Sequence, residues 1–490
     1  MQEYHSKELF SLTSFVKLTG LLERRAARPV SDLGSFEAFE RDLGEVMHQL
    51  QCELTAAELS RYDVDAQVIV VEGREYRKVL DKQSKVYRSS TGPLPLRRNL
   101  FKPKGGGKCI CPLDLRAGIV GGWCTPLLAR QVGFLMGHMP SKSTAEVFGE
   151  FGIDGPSVSS CDRLPKILSA SWEKHRESWE EALRCGESIA GEATLAVVSL
   201  DGVMVPDKDG QRKAKAEREA AKKKGLDKKP TGPAGYREVG CGTVSVYAPG
   251  EKGPQRLDTV RYGRAPEKKK KTLTEQLSAE LDAILGARPD LKLVALADGA
   301  EENWRYFEGY RWDKATKIVD SGHASEHLRN AMSAFYGKDS IRGRAEYERL
   351  RVILKDQRGG VDEVITTLCR LERKMPKKVS KTRREELRKE RKYFTNQRDR
   401  MDYAQYQELG LPIGSGVVEA ACKTLASQRL KLSGMSWGGG KQGILTIRSL
   451  QQSNRWERAW PMLASAFRCE VYQVQDHKHL QAISSCERVA

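Results

Sequence analysis

Short apolar runs alternate with helix-like segments between residues 194 and 337, and this order restricts the fold more than any other feature of the chain. Three strand-like runs come first, at 194–206, 236–250 and 255–264. Helical and strand-like patterns then alternate as far as the segment "HASEHLRNAMSAFYG", which ends at residue 337. Three leading strands followed by alternating elements predict an α/β domain whose sheet mixes antiparallel and parallel strands.

The rest of the chain is expected to form regions of different pattern around this core. Residues 1–112 combine helical spacing with later strand-like runs, and 113–190 predict helices joined by a glycine-containing turn. That turn resembles a helix-turn-helix, although any αα-hairpin gives the same pattern. A polar helical insertion is predicted at 339–410, so the core consists of 191–338 and the first part of 411–490, which ends in a C-terminal tail.

The composition favours an anionic partner, and no segment of the sequence is expected to cross a membrane. The chain has 490 residues, and 83 Lys and Arg against 65 Asp and Glu give a net charge of +18. Such a surplus is typical of proteins that bind polyanions, but a basic enzyme of another kind can share it. The apolar runs are too short to cross a membrane, and no signal peptide is expected. The 11 scattered cysteines favour reduced thiols, as in the cytoplasm.

Two strongly basic segments interrupt the core. Residues 211–230 hold nine Lys and Arg against three acids, and 373–400 hold thirteen against four. A solvated helical surface has the same composition, but the density of charge favours contact with phosphate groups. The candidates for DNA contact in these segments are Lys222, Lys223, Lys224, Arg383, Arg384 and Arg388.

Two aspartates follow buried strand patterns, and each precedes a glycine: Asp201 in "VVSLDGVMV" and Asp298 in "VALADGAEE". An Asp-Gly pair after a strand is also ordinary turn chemistry, so neither motif is specific alone. In an RNase H-like sheet, however, the first and fourth strands are neighbours, which would bring the two carboxylates together. Divalent cations relieve the repulsion between such acids and can act on a phosphodiester.

A third acid is expected from the stretch "GSGVVEAACKTLASQRLKLSGMSW", which runs from Gly414 to Trp437 and reads as a helix after a glycine-flanked turn. Glu419 is the candidate, and Gly416 would let a metal ion or phosphate approach the start of the helix. An apolar stripe would hold this helix against the sheet, formed by Val418, Ala421, Cys422 and Leu425. The basic residues expected to hold the DNA backbone are Lys423, Arg429 and Lys431.

With the motifs "SLDGVMV", "ALADGAE", "HASEHL" and the Gly414–Trp437 stretch, the chain resembles the ISKra-type DDE transposases of bacterial insertion sequences over residues 194–450. The resemblance implies an RNase H-like core in which Asp201, Asp298 and Glu419 are the catalytic ligands of two Mg²⁺ or Mn²⁺ ions. It also implies that residues 330–410 are the helical insertion between the second acid and the third.

The resemblance further implies an enzyme that nicks the ends of its own element and transfers the freed 3′-OH to target DNA. Its partners would be double-stranded DNA, both terminal inverted repeats and target, and further copies of the chain in a dimer or larger assembly on DNA. It would act at the bacterial nucleoid, without a membrane.

The chain departs from the family pattern in two places. Ser321 and Gly322 stand where the family usually has an aromatic pair, and Cys109-x-Cys111 stands where it often has a CxxC knuckle. An N-terminal zinc site completed by Cys124 and His138 is therefore one interpretation, and free thiols in a loop are the other.

Other functions share parts of this pattern. "HASEH" fits the H-x-x-E-H signature of inverted zinc peptidases, in which His323 and His327 would bind zinc and Glu326 would act as base. In the transposase interpretation, His323 and His327 would line the metal site or contact DNA, and Asp320 is a reserve ligand. A relic that binds DNA without cutting it and an RNase H-like nuclease also remain open.

Overall fold

The computed structural model describes residues 12–29, 34–223, 235–251, 253–376, 378–432, 435 and 437–474. The strands are β1 Val68–Val71, β2 Arg74–Ser89, β3 Gly92–Pro103, β4 Leu195–Pro206, β5 Tyr236–Ala248, β6 Gln255–Arg264, β7 Lys292–Ala297, β8 Thr316–Val319 and β9 Val471–Gln473. The helices before residue 290 are α1 Thr13–Ala26, α2 Phe36–Ser60, α3 Pro112–Ala117, α4 Pro126–His138, α5 Ser141–Glu150, α6 Val158–Cys185, α7 Lys208–Lys223 and α8 Lys271–Ala287.

The later helices are α9 Glu301–Tyr306, α10 Ser321–Tyr336, α11 Ile341–Asp356, α12 Gly360–Arg373, α13 Lys381–Gln397, α14 Tyr403–Glu408, α15 Gly416–Ala421, the π-helix Cys422–Ser427, α16 Gln428–Leu430, α17 Lys441–Gln452 and α18 Trp456–Ser465. Short 3₁₀ turns occur at Lys268–Lys270, Tyr310–Trp312 and Arg398–Arg400. Among the described residues, no helix combines the length and the apolar character needed to cross a membrane.

The chain forms two compact units, and the second is inserted in the sequence of the first. The first unit comprises residues 1–179 and 455–490, and the second comprises 180–454. We predicted that residues 411–490 form one segment that completes the core and ends in a tail. Instead, residues 455–474 group with the first unit, because β9 pairs antiparallel with β1.

An antiparallel sheet of order β3-β2-β1-β9 organises the first unit. The strand-like runs predicted in the later part of residues 1–112 form β1, β2 and β3, and the register of β2 against β3 is irregular between Lys78 and Gln83. The segment predicted to resemble a helix-turn-helix forms α5 and α6, and α6 continues for 28 residues. This helix is longer than the helix-turn-helix-like sequence pattern predicted.

A mixed five-stranded sheet of order β6-β5-β4-β7-β8 organises the second unit. The pairs β6–β5 and β5–β4 are antiparallel, whereas β4–β7 and β7–β8 are parallel. This arrangement confirms the predicted α/β domain with a mixed sheet. Helix α8 packs on it through Leu273, Leu277 and Leu281, which are fully buried.

The predicted helical insertion is present as α11 to α14, and its apolar stripe lies in the core of the second unit. Val361, Val364, Leu368 and Leu371 of α12 are buried, and Ile365 packs beside them. Ser340 and Ser380 cap two of the helices, since each hydroxyl accepts a hydrogen bond from a backbone N–H in the first turn. The insertion is therefore a packed part of this unit, despite its polar composition.

Candidate metal centre

Three aspartates occupy the same level on three neighbouring parallel strands: Asp298 and Asp320 directly follow β7 and β8, whereas Asp201 lies within β4, which continues to Pro206 and so does not end where the sequence pattern predicted. Leu200 of β4 pairs with Ala297 of β7, and Ala297 pairs in turn with Val319 of β8. The next residue in each case is an aspartate: Asp201, Asp298 and Asp320. Because the parallel register aligns Leu200, Ala297 and Val319, the three acids that follow them lie in a row across the sheet. The sequence motifs predicted Asp201 and Asp298 as metal ligands, with Asp320 as a reserve candidate.

Asp201 is partly buried beside a second negative charge. Its Oδ1 accepts the Gly202 N–H at 2.6 Å, and its Oδ2 accepts the Cys422 thiol at 3.4 Å. Burial raises the pKa of Asp201 above its ordinary value, and the charge of Asp298 raises it further, against the lowering effect of the two hydrogen bonds and His323. A carboxylate in this position is a favourable place for a cation.

Asp298 is held by the turn and helix that follow it. Its Oδ1 accepts hydrogen bonds from the Ala300 N–H at 3.1 Å and from Asn303 Nδ2 at 2.8 Å. Its backbone carbonyl accepts the indole N–H of Trp304 at 2.7 Å, and that ring is buried in the core. Both the carboxylate and the backbone of Asp298 are therefore fixed by α9 residues.

The third predicted acid, Glu419, is exposed and comes from α15. Ser415 Oγ donates to Glu419 Oε1 at 2.9 Å. One ligand atom from each of Glu419, Asp320 and His323 lies within 4.8 Å of the other two. Among the described residues, this is the group of three or more His, Cys, Asp or Glu side chains whose ligand atoms lie this close together. The structure thus gathers Glu419 with the reserve acid, while Asp201 and Asp298 lie outside that group.

Helix α15 continues into a π-helical segment, which packs against β4 and β5. The predicted apolar stripe is confirmed, because Val418, Ala421, Cys422 and Leu425 are all buried. π-helical turns are frequent at functional sites. Here the first residue of the π-helix, Cys422, donates to Asp201, so the segment that carries Glu419 also contacts the acid on β4.

No protein-family model matches this chain, and no curated protein matches it either.

The two histidines of "HASEH" have different surroundings. His323 belongs to the group with Asp320 and Glu419, and its Nδ1 lies 3.9 Å from Glu326. His327 instead contacts Glu390 through Nδ1 at 2.5 Å and stacks on Tyr393 with ring centroids 3.6 Å apart. A zinc peptidase would need both imidazoles on one ion, so this geometry does not favour it.

The cysteine knuckle does not gather into a metal site within the described residues. Cys109 is exposed, whereas Cys111 and Cys124 are buried, and none of them belongs to a close group of three ligands with His138. Burial raises the pKa of the Cys111 thiol, and the charge of Asp114 raises it further. The free-thiol interpretation is the one that this structure favours.

Most of the predicted lysine contacts are exposed. This group consists of Lys222 and Lys223 at the end of α7, Lys423 in the π-helix, and Lys431. Lys224 lies outside the described residues. Lys423 and Lys431 stand on the segment that carries Glu419.

Arg429 departs from our prediction, because it is only 1% exposed and its guanidinium lies 5.6 Å from the centre of the Trp437 ring. A side chain in that position packs inside the protein and does not reach a DNA backbone. The sequence contained a signal for this burial, since Arg429 follows Leu425 by four residues and continues the apolar stripe.

The three predicted arginine contacts of α13 have partners within the protein. Arg383 donates to the carbonyls of Ala334 and Phe335 at 2.8 and 2.9 Å, which closes the end of α10. Arg384 donates to the Pro376 carbonyl at 2.8 Å, and Arg388 pairs with Glu372. These hydrogen bonds give Arg383 and Arg384 a structural role. Of the three arginines, only Arg388 has a largely exposed side chain.

Asn303 and Ser415, which hold Asp298 and Glu419, were not predicted from the sequence. Both are close to the acid in sequence, five residues after Asp298 and four before Glu419. That spacing predicts neighbouring positions on a helix or at its cap.

Asp320 also has a structural role that can be measured. Its Oδ1 accepts the His323 N–H at 2.6 Å, its Oδ2 accepts the Ser415 N–H, and it is 1% exposed. Asp320→Asn places an amide NH₂ against one of these donors, so we expect the free energy of unfolding to fall by about 1–3 kcal/mol. Urea unfolding of the full chain measures it. Asp313→Asn, at an exposed site, is the matched control, and equal stability of the two variants contradicts this role.

Proposed function

We propose that this chain is a DNA transposase of the DDE type, which cuts and joins DNA with divalent cations held by Asp201, Asp298 and Glu419. The observation that carries the proposal is the row of aspartates after Leu200, Ala297 and Val319, with a glutamate from a distant helix beside it. Asp320 and Glu419 come close to each other from separate segments, and the charge of Asp298 acts on Asp201; neighbouring carboxylates of this kind repel one another unless a cation binds them.

The fold supports the same proposal. The first strand of the sheet, β4, lies between the second, β5, and the fourth, β7. This is the neighbour relation that an RNase H-like core requires, and it sets Asp201 and Asp298 on adjacent strands. The helical insertion then separates Asp298 from Glu419, as in the transposases that the sequence resembles.

The donors fit a hard divalent cation. They are carboxylate oxygens with one imidazole, and Asp201 is held at a raised pKa by burial and by Asp298. Two Mg²⁺ or Mn²⁺ ions at such a site supply activation of the attacking oxygen and stabilisation of the leaving oxygen. Asp201, Asp298 and Glu419 would hold them, with Asp320 and His323 adjacent.

The remaining residues would position the DNA. Lys423 and Lys431 are exposed on the segment that carries Glu419. The backbone N–H of Lys208 donates to the Trp437 carbonyl at 2.9 Å, so the basic helix α7 begins beside the end of that segment. Phosphate contacts from both places would fix the register of the duplex at the acids.

The test uses the full chain with a duplex that contains the DNA flanking its gene, a second target plasmid and Mg²⁺. We expect nicks with 3′-OH ends at the element boundaries and covalent joining to the target. Cleavage without joining indicates the nuclease, and binding without cleavage indicates the relic. Either outcome, or the absence of both activities, overturns the transposase proposal.

A further inference from the structure

A buried lysine, Lys270, lies directly before helix α8 and is not one of the proposed metal ligands or DNA contacts. Lys270 is 7% exposed, and its Nζ donates to Asn303 Oδ1 at 2.9 Å and to Glu238 Oε1 at 3.0 Å. A buried ammonium group is retained only where it is paired and hydrogen-bonded. Its first partner, Asn303, is the residue that donates to Asp298.

The backbone around this lysine is unusual. Lys269 and Lys270 have φ angles of 57° and 49°, the left-handed region that side chains other than glycine rarely adopt. Two consecutive residues in that region show that the surrounding structure determines the conformation. The observed conformation brings the Lys270 ammonium group to Asn303 and Glu238.

The lysine fixes the orientation of the Asn303 side-chain amide. An ammonium group only donates hydrogen bonds, so the amide presents its oxygen to Lys270 and its NH₂ group elsewhere. That NH₂ group donates to Asp298 Oδ1 at 2.8 Å, and the Ala300 N–H reaches the same oxygen. If the amide were inverted, its oxygen would face the carboxylate of Asp298.

The second partner of Lys270 leads to the neighbouring acid. Glu238 of β5 stands over Gly202, where a Cβ atom would collide with its carboxylate. Gly202 in turn donates its N–H to Asp201 Oδ1 at 2.6 Å. Lys270 therefore contacts both the residue that holds Asp298 and a carboxylate that lies over Gly202, the neighbour of Asp201.

Resting on the proposed function, we propose that Lys270 is a positioning residue that acts through Asn303 to orient Asp298 for its cation. Asp298 Oδ1 receives the two protein donors, and the proposal assigns Oδ2 to the metal. Partners of this kind outside the ligand shell set the orientation of a ligand and its affinity for metal.

Calorimetry of Mn²⁺ binding to the full chain, without DNA, tests this role. The quantity compared is the affinity of the binding component that is lost in Asp298→Asn. Lys270→Met and Asn303→Leu should each weaken that component about 10- to 100-fold. The double variant should bind no more weakly than Asn303→Leu, because the lysine acts through the amide. Lys268→Met removes an exposed charge two residues away and is the control.

Unchanged binding by Lys270→Met, or losses that add in the double variant, overturn the inference. If Lys270→Met does not fold, Asn303→Leu decides alone, and normal Mn²⁺ binding by that variant overturns it. A wild-type chain that binds Mn²⁺ as described but cuts no DNA refutes the proposed function and leaves the positioning role. A wild-type chain with no such component refutes the positioning role.

Discussion

Asp298→Asn should lower Mg²⁺-dependent cleavage of element-end DNA by about 1,000-fold or more, which is the scale of losing a group on which a charged transition state depends. The amide has nearly the same shape, but it lacks the charge that holds a cation. Asp201→Asn and Glu419→Gln should have similar effects. The measurement is the initial rate of 3′-OH nick formation at saturating DNA.

The same variants should still bind DNA, because they keep the basic surface and remove no donor. Asp298 accepts its hydrogen bonds on Oδ1, which the carbonyl oxygen of an asparagine can replace. Asp313→Asn is the matched control, with an exposed acid in the same unit, and it should cut at the wild-type rate. Cleavage within tenfold of wild type in all three site variants contradicts the assignment of the acids.

Lys441→Met should destabilise the second unit by about 3–5 kcal/mol, because it leaves a buried carboxylate without its counter-charge. Lys441 contacts Asp207 Oδ2, and the side chains of the pair are 9% and 1% exposed. Asp207 also accepts the Gly210 N–H at 2.8 Å, which fixes it at the end of β4. Chemical unfolding of the full chain at neutral pH measures the loss.

The effect should depend on pH in a definite direction. Burial by itself raises the pKa of Asp207, but the bonds from Lys441 and Gly210 lower it overall, below the ordinary value. A depressed pKa contributes stability at pH values above about 4, where the unfolded carboxyl is ionised. That contribution is lost as the pH falls through the folded pKa, so the difference between wild type and Lys441→Met should shrink in acid.

An exposed ion pair provides the comparison. Arg305 and Glu301 pair at 2.8 Å with side chains 62% and 85% exposed. Arg305→Met should leave the unfolding midpoint unchanged, because water solvates both charges nearly as well. An equal loss for Arg305→Met and Lys441→Met would contradict the role of burial.

The strands and the acids of the core were predictable because their signals are local. A short run rich in valine such as "LAVVSL" favours a buried strand, and the observed β4 covers it from Leu195. The aspartates that end these runs follow from the same pattern. Asp320 was harder, because β8 is only four residues long and its aspartate also caps a helix.

The partners of the acids depended on contacts distant in sequence. Lys270 meets Asn303 across 33 residues, and Cys422 meets Asp201 across 221. Charge patterns do not distinguish a lysine on the surface from one like Lys270, whose burial depends on a left-handed backbone. The burial of Arg429 was readable from its helical stripe, whereas its Trp437 partner was not.

The pairing of β9 with β1 has a consequence for synthesis of the protein. Val70 of β1 pairs with Tyr472, so one edge of the first sheet stays open until Val471–Gln473 have left the ribosome. An open edge of apolar residues such as Val68–Val71 is a template for pairing with other chains. The inserted second unit can fold first, since domains generally fold as units during synthesis. Nascent chains stalled before residue 471 should therefore need chaperone protection at this edge.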